Sequence, residues 1–428
     1  MAPLIKSVRG MRDLLPPDTE TWNFVDSTVH DLFRLYNFEE IRTPIIEDLQ
    51  LFQRSVGEAT DIVYKEMFAW QDRSRAESEK GQWLALRPEN TAGVVRAYIE
   101  HKLWDKPGLQ RVYYIGPQFR RERPQKGRYR QFYQIGAEVI GPTSAGSESP
   151  AVDAEVIEML VALLDRLGIQ GWTLQLNSLG CAEDRKRYNE TLQAALKDVV
   201  HRMCADCQRR AQTNPLRVLD CKVAEDQPII ASLPRMNDSL DPKCKAHFAE
   251  VQKILTALEI PFVLNYRLVR GLDYYTRTAF EFTHGALGSQ DAILGGGRYD
   301  GLSEALGGPA APGIGFAIGE DRLIMAMKET KSVEARPLDV YIASLGAGMN
   351  VEAARLAREL RRQNVSATVG DETFRLPKSL ATASKIGAQY ALIVGENEIK
   401  SGEFALKNLG TGEQISVRRE AIPAKIRG

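Results

Sequence analysis

Apolar positions recur at helical spacing in two stretches of the chain. From Trp22 to Tyr36 they fall three or four residues apart, which predicts a helix with Asp18 as its N-terminal cap. The same spacing returns after Pro150, where Ser149 can cap a second helix and Gly168 can end it. Each helix therefore carries one apolar face to be buried against other elements.

A different period marks the segment from Leu109 to Gly141. Two apolar runs flank the polar loop RERPQKGRYRQ, which predicts an antiparallel strand pair with a long charged connection. Successive side chains of a strand point to opposite faces. One face of the second strand is apolar, and the other carries polar groups around a glycine: Tyr133, Ile135, Ala137 and Val139 on the first, and Phe132, Gln134, Gly136 and Glu138 on the second.

On the preceding strand, Gly116, Gln118, Arg120 and Glu122 are also in phase with one another. The two polar faces together predict a slot with hydrogen-bonding walls. The alternative is a solvated sheet face with a basic surface loop, because runs of charge are commonly just solvated.

Composition changes along the chain and divides it. Residues 171–245 contain polar helical stretches with clustered cysteines, which predicts an inserted, mainly helical subdomain within a main domain of residues 1–170 and 246–328. Residues 329–336 predict a linker. Residues 337–428 alternate strand and helix patterns, as expected for a small α/β domain.

Charge and cysteine content narrow the classes of protein. The 428 residues hold 56 Lys plus Arg and 56 Asp plus Glu, so a polyanion must be met by local patches such as the cations between Arg120 and Arg130. No apolar run is long enough for a signal peptide or a membrane span, and five cysteines argue for reduced thiols. We expect a soluble cytoplasmic protein.

Several motifs carry a family resemblance. FRRERPQKGRYRQF resembles motif 2 of class II aminoacyl-tRNA synthetases, GIGFAIGEDRL is similar to motif 3, and IRTPIIED is a weaker match to motif 1. LVRGLDYYTRTAFEF and GGGRYDGL resemble two peptides of the histidyl-tRNA synthetases. The resemblance covers the whole chain. It implies an α+β catalytic domain, with an antiparallel sheet flanked by helices, and a C-terminal α/β anticodon-binding domain.

The resemblance also implies an activity. Such an enzyme activates L-histidine with ATP to histidyl-adenylate, transfers it to the 3' end of tRNA(His), and releases AMP and pyrophosphate. Mg²⁺ would accompany ATP, with no tightly bound protein metal expected, and the family members are homodimers. Two alternatives stay open: a non-catalytic regulatory paralogue for histidine biosynthesis, and a class II synthetase for proline, threonine or glycine.

By the same resemblance, arginines hold the phosphates. Arg120 would grip the α-phosphate, Glu122 the adenine amino group and Arg322 the γ-phosphate, with Arg128 also at ATP. Arg270 would face Arg120 across the reacting centre, which makes these two the catalytic candidates. The loop cations, Arg123, Lys126, Arg128 and Arg130, are left for the triphosphate and the acceptor end of tRNA. An ordinary surface ion pair is the alternative for Arg322.

Histidine needs partners for its ammonium and for its ring. The residues expected to bind it are Glu89, Asn90, Thr91, Arg120, Gln134, Glu138, Arg270, Tyr274 and Tyr275. Glu89 and Thr91 match the ammonium-binding segment, although relatives often have glycine where this chain has Asn90. A cross-strand aromatic pair in the core is the alternative for Tyr274 and Tyr275.

Two further signals point elsewhere. GIGFAIG mimics the glycine fingerprint of a dinucleotide fold, but Pro309 and Pro312 precede it where a strand should lead in. Cys204 and Cys207 form a CxxC with Cys221, Cys244 and His247 further along. A structural zinc site would use such residues. Thiols packed as small apolar groups are the expected arrangement, because activity in the family does not require zinc.

Overall fold

The computed structural model describes residues 3–57, 60, 62–72, 81–125, 127–288, 291–334 and 336–427. The chain divides into two compact units, Met1–Val333 and Glu334–Gly428. The division falls inside the polar stretch in which the sequence predicts a linker.

The first unit is built on strands and helices in alternation. Its helices are α1 (Asp18–Leu35), α2 (Leu49–Val56), α3 (Thr91–Glu100), α4 (Pro150–Arg166), α5 (Ala182–Lys197), α6 (Ala205–Thr213), α7 (Gln227–Ser232), α8 (Pro242–Ala257), α9 (Leu302–Ala305) and α10 (Glu320–Met327). Its strands are β1 (Glu39–Glu40), β2 (Ile46–Asp48), β3 (Phe68–Gln71), β4 (Trp83–Leu86), β5 (Gln110–Phe119), β6 (Gln131–Ile140), β7 (Trp172–Ser178), β8 (Val263–Leu264), β9 (Thr276–His284), β10 (Ala292–Arg298) and β11 (Gly313–Gly319).

Eight of these strands form one sheet in the order β1-β5-β6-β11-β10-β9-β7-β8. The inner pairs are antiparallel, and only the edge strands β1 and β8 pair in parallel with their neighbours. A smaller antiparallel sheet has the order β2-β4-β3. The predicted α+β fold with an antiparallel sheet is therefore confirmed.

The two strongly periodic helices cover one face of the large sheet. Ser149 accepts a hydrogen bond from the Ala151 amide (3.3 Å) and caps α4 as predicted, and Gly168 follows the helix with φ +72°. The predicted cap of α1 is wrong. Pro17 occupies the cap position, so Asp18 begins the helix and its carboxylate pairs with Lys328 (2.9 Å) instead.

The two faces of β6 have the predicted chemistry. Ile135, Ala137 and Val139 are buried in the core that α1, α4 and α8 share with the sheet. Gln134 and Glu138 are also buried, but on the opposite face. Burying apolar side chains on one side of the strand leaves the polar side chains to form a site on the other side.

The segment predicted as an insertion begins later than expected. β7, inside residues 171–245, pairs with β9 along Trp172–Ser178 and so belongs to the large sheet. The helical part follows from α5 onward. Its Tyr188, Leu192 and Cys207 belong to a buried cluster that also includes Tyr275 and Tyr299 of the main domain. The next helix, α8, runs past the predicted end of the insertion at residue 245, and its Phe248 and Val251 are buried in the main core. A strand buried on the sheet thus lies within the polar segment.

The second unit is an α/β domain, as predicted. Its strands are β12 (Leu338–Leu345), β13 (Ala367–Val369), β14 (Ala388–Gly395), β15 (Glu403–Asn408) and β16 (Gln414–Arg418), and its helices are α11 (Met349–Arg362), α12 (Leu376–Lys385), α13 (Glu396–Ser401) and α14 (Ile422–Arg427). The sheet order is β13-β12-β14-β15-β16, with β12 parallel to both neighbours and the last three strands antiparallel.

Candidate active site

Motif 2 places its first arginine at the end of β5. Arg120 donates from Nε to the Pro88 carbonyl (2.9 Å), and its guanidinium lies 5.2 Å from the centre of the Phe132 ring. Glu122, two residues on, pairs with Arg128 of the loop (3.2 Å). The strand pair and its loop therefore hold two guanidinium groups and one carboxylate beside the polar face of β6.

A cavity of about 370 Å³ opens at this point. Six of the predicted site residues line it: Arg120, Glu122, Arg128, Gln134, Arg270 and Arg322. Its volume is in the range of small-molecule sites. The fold thus brings the arginines of motif 2, of motif 3 and of the LVRGLDYYT peptide to one cavity, although they lie far apart in the sequence.

Arg270 is fixed by three neighbours. Its Nη1 donates to Glu281 Oε1 on β9 (2.6 Å), and its guanidinium lies 5.7 Å from the centre of the Tyr275 ring. Gly295 on β10 lies beneath the guanidinium, since a Cβ at that position would come within 2.5 Å of Arg270 Cζ. The absence of a side chain at Gly295 is what allows the guanidinium to lie across the strand.

The helical insertion also contacts this arginine. Arg217 donates from Nη1 to the backbone carbonyl of Arg270 (3.0 Å) and lines the same cavity. Arg217 lies in the 3-10 helix Pro215–Asp220, which packs against α6. Sequence reasoning missed Arg217, because nothing in the pattern of the insertion relates it to a loop more than fifty residues away.

Arg322 lies in the first turn of α10, half-buried in the cavity wall. Its Nε donates to the Ala292 carbonyl (2.7 Å), and burial together with the neighbouring Arg128 lowers the pKa of Arg322. The helix N-terminus adds to this unfavourable potential, since the macrodipole is positive there. These surroundings favour an anion in the cavity and do not resemble an open surface position.

The remaining loop cations differ in how exposed they are. Arg123 is exposed, whereas Arg130 is half-buried and its backbone amide bonds to the Gly10 carbonyl (2.7 Å). Lys126 lies outside the described residues. The assignment of these cations between ATP and tRNA stays a prediction.

Glu89 and Thr91 form the N-terminal turn of α3. The buried Glu89 carboxylate accepts the backbone amides of Thr91 (2.8 Å) and Ala92 (3.0 Å), and the Tyr274 hydroxyl lies at 3.4 Å. Burial raises the pKa of Glu89, while the two amides oppose that rise. The carboxylate is therefore held in a fixed orientation at the positive end of a helix.

Glu138 on β6 is completely buried. It accepts the Thr91 hydroxyl at Oε1 (2.7 Å) and the Tyr299 hydroxyl at Oε2 (2.7 Å). Burial raises the pKa of Glu138 to about 8. Gly315 on β11 lies so close to this carboxyl that a Cβ there would overlap it. Tyr299, of the GGGRYDGL peptide, was missed as a site residue because its partner is 161 residues away.

Three predicted histidine contacts have other surroundings. Asn90 accepts the Thr43 hydroxyl (2.6 Å) and the Arg87 guanidinium (3.2 Å), which ties the segment to the chain before β2. The rings of Tyr274 and Tyr275 are 4.8 Å apart at 46° in the turn before β9, so they are buried neighbours and not a cross-strand pair.

Two buried glutamine side chains have polar atoms without a hydrogen-bond partner among the described residues. These atoms are Oε1 of Gln134 and both Oε1 and Nε2 of Gln118. Leaving such an atom unpaired costs about 1–3 kcal/mol, so natural sites satisfy it with a ligand or water. Gln134 lines the cavity, which indicates a polar ligand at this wall.

The sequence GIGFAIG is itself β11, an antiparallel strand between β6 and β10. It is therefore no dinucleotide-binding turn, which would follow a parallel strand and open a helix.

The antiparallel sheet, the arginines at its cavity and the separate α/β unit define a class II aminoacyl-tRNA synthetase. The family model described as histidyl-tRNA synthetase matches residues 10–323, and the anticodon binding domain matches residues 339–428. The chain belongs to the histidyl-tRNA synthetase family.

Similar proteins agree with this membership. Histidine–tRNA ligases from Koribacter versatilis (strain Ellin345) and Solibacter usitatus (strain Ellin6076) are 65% and 55% identical over 424 residues, which is 99% of this chain and 96% and 99% of theirs. The crystal structure of apo S. aureus histidyl-tRNA synthetase is 34% identical with a TM-score of 0.82, and the match covers 99% of this chain and 100% of that one. The predicted enzyme, a histidine–tRNA ligase, is confirmed over the regulatory paralogue.

Proposed function

We propose that the 370 Å³ cavity is where histidine and ATP react. The histidine carboxylate attacks the α-phosphate of ATP, pyrophosphate leaves, and the adenylate then passes to the 3' end of tRNA(His) with release of AMP. The observation that carries this proposal is the convergence of Arg120, Arg270 and Arg322 on one cavity. No protein nucleophile is needed, because phosphoryl transfer depends on positioning and on fixed positive charge.

The arginines divide the phosphates between them. Arg120 is suited to the α-phosphate because the Pro88 carbonyl holds its Nε and leaves the end of the fork to face the cavity. A planar guanidinium grips phosphate or carboxylate bidentately and stays charged. Arg322 takes the γ-phosphate, and its lowered pKa rises again when an anion binds beside it. Glu122, oriented by Arg128, accepts the adenine amino group.

The histidine ligand is assigned to the carboxyl groups of α3 and β6. Glu89 keeps acceptor positions beyond its two amide bonds, since a carboxylate has about four, and these receive the α-ammonium together with Thr91. Glu138 and Gln134 address the ring with Tyr274 and Tyr275. Burial raises the pKa of Glu138 to about 8, which favours its neutral form near neutral pH. Asn90, where relatives often have glycine, positions the segment between Glu89 and Thr91.

The cavity also fits Mg²⁺ that arrives with ATP. Magnesium in such complexes is held by phosphate oxygens, water and one or two carboxylates. Glu281 lines the cavity and would supply such a carboxylate. Among the described residues, the clusters of three or more cysteine, histidine or carboxylate ligands lie outside this lining, which suits a metal bound through the nucleotide. The ion would neutralise triphosphate charge, and the arginines would orient it.

The proposal extends to the assembly and the location of the protein. We assign a homodimer, with the exposed Ile45 and Ile46 at the motif 1 stretch as apolar surface for the partner chain. The unit that starts at Glu334 would bind the anticodon end of tRNA(His). The unpaired thiols of all five cysteines suit a reducing cytoplasm. In the described part of the chain, every helix is too short or too polar to span a bilayer.

Arg270 provides the test. Its replacement by alanine removes a fixed charge from the reacting centre, which costs about 3 kcal/mol or a factor of 10² to 10³ in rate. Histidine-dependent ATP–pyrophosphate exchange should fall by at least that factor, while circular dichroism and dimer mass stay unchanged. The matched control is Arg267→Ala, an exposed arginine of the same loop. Exchange retained by Arg270→Ala would overturn the assigned role, and exchange with proline or threonine in place of histidine would overturn the substrate.

A further inference from the structure

Three thiols and one carboxylate meet inside the helical insertion. The ligand atoms of Cys204, Cys207, Cys221 and Asp226 all lie within 4.8 Å of one another. They come from separate pieces of chain: the start of α6, the residue after the 3-10 helix Pro215–Asp220, and the turn before α7. Cys207 and Cys221 are buried and Cys204 is half-buried. This cluster is called the Cys3Asp cluster below.

The spacing within the cluster fits a tetrahedral metal ion. Cys204 Sγ and Cys221 Sγ are 3.8 Å apart. A zinc–sulfur bond of about 2.3 Å places two sulfurs of a tetrahedron about 3.8 Å apart, which is the separation found. Cys221 Sγ lies 3.2 Å from Asp226 Oδ2, close to the edge expected for one sulfur and one oxygen ligand. A disulfide would need a sulfur separation of about 2 Å.

The surroundings orient the four groups inward. Asp226 accepts the Cys204 amide at both oxygens (3.0 and 3.3 Å), and the Val223 amide points at Cys221 Sγ (3.4 Å). Hydrogen bonds of this kind hold ligands in place around metals and stabilise thiolate charge. Two cysteines separated by two residues at a helix start are typical of structural zinc sites.

We propose that the Cys3Asp cluster binds one Zn²⁺ ion, in place of the packed thiols that the sequence alone predicts. The sequence offers two other candidate ligands, and neither joins the cluster. His247 lies beside Asp153 (Nε2 to Oδ2, 3.6 Å), and Cys244 lies in a separate group with Cys181. The fourth ligand is therefore a carboxylate, which zinc accepts together with thiolates.

A second group of possible ligands has a different character. Cys181, Asp184, Asp241 and Cys244 also lie close together, but they offer only two thiols. Asp184 pairs with Arg187 and accepts the Asp241 amide (2.9 Å), and Asp241 caps α8 through the Cys244 amide (2.6 Å). The carboxylates of this second group already act in capping and ion pairing. The second group therefore provides the matched control for the metal-binding experiment.

The proposed ion would fix a segment that reaches the active site. Arg217, whose guanidinium holds the Arg270 carbonyl, lies between Cys207 and Cys221 in the sequence. Cys204 and Cys221 line a cavity of about 740 Å³ that also includes Arg120 and Arg270. The site is structural in character, because its four positions are all taken by protein side chains.

Metal content tests the proposal. The full-length protein, purified with a thiol reductant and without chelator, should contain one zinc per chain by plasma mass spectrometry. Cys207→Ser and Cys221→Ser should lose that zinc, while the control Cys244→Ser keeps it. Cobalt added to the zinc-free wild type should give the visible absorption bands of tetrahedral thiolate coordination, and these should be missing in Cys221→Ser.

Native mass spectrometry of the wild type keeps the test valid if the serine variants fail to fold. The expected result is a folded species heavier by one zinc ion, which a strong chelator removes. The proposal is overturned if the reduced wild type is metal-free and binds neither Zn²⁺ nor Co²⁺ when one equivalent is added. It is also overturned if the metal-free protein, prepared under nitrogen, carries a Cys204–Cys221 disulfide, or if Cys244→Ser loses the zinc and Cys221→Ser keeps it.

Discussion

Gly295 lies beneath the guanidinium of Arg270, and its replacement by alanine moves that guanidinium without removing it. The new Cβ would lie 2.5 Å from Arg270 Cζ and from Nη2. Ordinary carbon contacts are about 3.5 Å or longer, so the guanidinium must shift by about 1 Å. The atoms that the new Cβ would meet are the end of the long Arg270 side chain, and therefore the side chain moves and the strand stays in place.

The shift breaks the fit between Arg270 and its partners. Its Nη1 bond to Glu281 is only 2.6 Å long, and a 1 Å displacement removes it. Displacements of about 1 Å in a catalytic group can cost a factor of 10² in rate, or about 3 kcal/mol at 1.36 kcal/mol per tenfold. Overpacking costs about 1–3 kcal/mol of folding free energy, which a protein of this size tolerates.

The assay is histidine-dependent ATP–pyrophosphate exchange with Gly295→Ala and with the control Gly301→Ala. Apart from its chain neighbours, no atom of the described residues lies within 4 Å of a Cβ built at Gly301. We expect kcat/KM to fall about 100-fold in Gly295→Ala and to stay near wild type in the control. An exchange rate within threefold of wild type for a folded Gly295→Ala protein would refute the reasoning that this guanidinium position matters.

Two further predictions concern buried charges. Folded Glu138 keeps a proton up to a pH of about 8, whereas the unfolded side chain releases it near 4.5, so this group makes stability fall as pH rises between those values. Glu138→Gln should remove up to about 1.4 kcal/mol of that fall per pH unit. The urea midpoint of the variant should therefore depend less steeply on pH than that of the wild type. An identical slope in the two proteins would contradict the raised pKa. Arg298 is completely buried and donates to Asp153 (3.0 Å). Asp153→Ala should therefore lower the free energy of unfolding in urea by about 3–5 kcal/mol, whereas the exposed control Asp165→Ala should leave it unchanged. Equal losses in both variants would show that the Arg298–Asp153 pair is not the cause.

The spacing of apolar residues predicts those helices and strands that bury only one face. The β5–β6 pair and the Ser149 cap of α4 follow from local sequence, because alternation and capping residues act within a few positions. The sequence alone places β7 in the insertion, because its inward residues, Leu174 and Leu176, are only two apolar positions among polar neighbours. Its place in the sheet depends on pairing with β9, about a hundred residues later.

The site shows the same limit. The family motifs identify the arginines, and the fold places four of them at one cavity: Arg120, Arg128, Arg270 and Arg322. Tyr299 and Arg217 were not found, because each acts on a residue whose neighbourhood only the folded chain creates: Glu138 for the first and the Arg270 carbonyl for the second. Sequence patterns report which chemistry is present, but long-range hydrogen bonds decide which groups orient it.

The bond from Arg217 to the Arg270 carbonyl has a thermodynamic consequence for the insertion. If the position of Pro215–Asp220 biases the orientation of Arg270, then any substrate that favours one orientation must bias that segment by the same free energy. Binding of a substrate in the cavity would then slow the exchange of backbone amide hydrogens in the insertion. The helical subdomain and the proposed small-molecule site would then be two ends of one linked equilibrium.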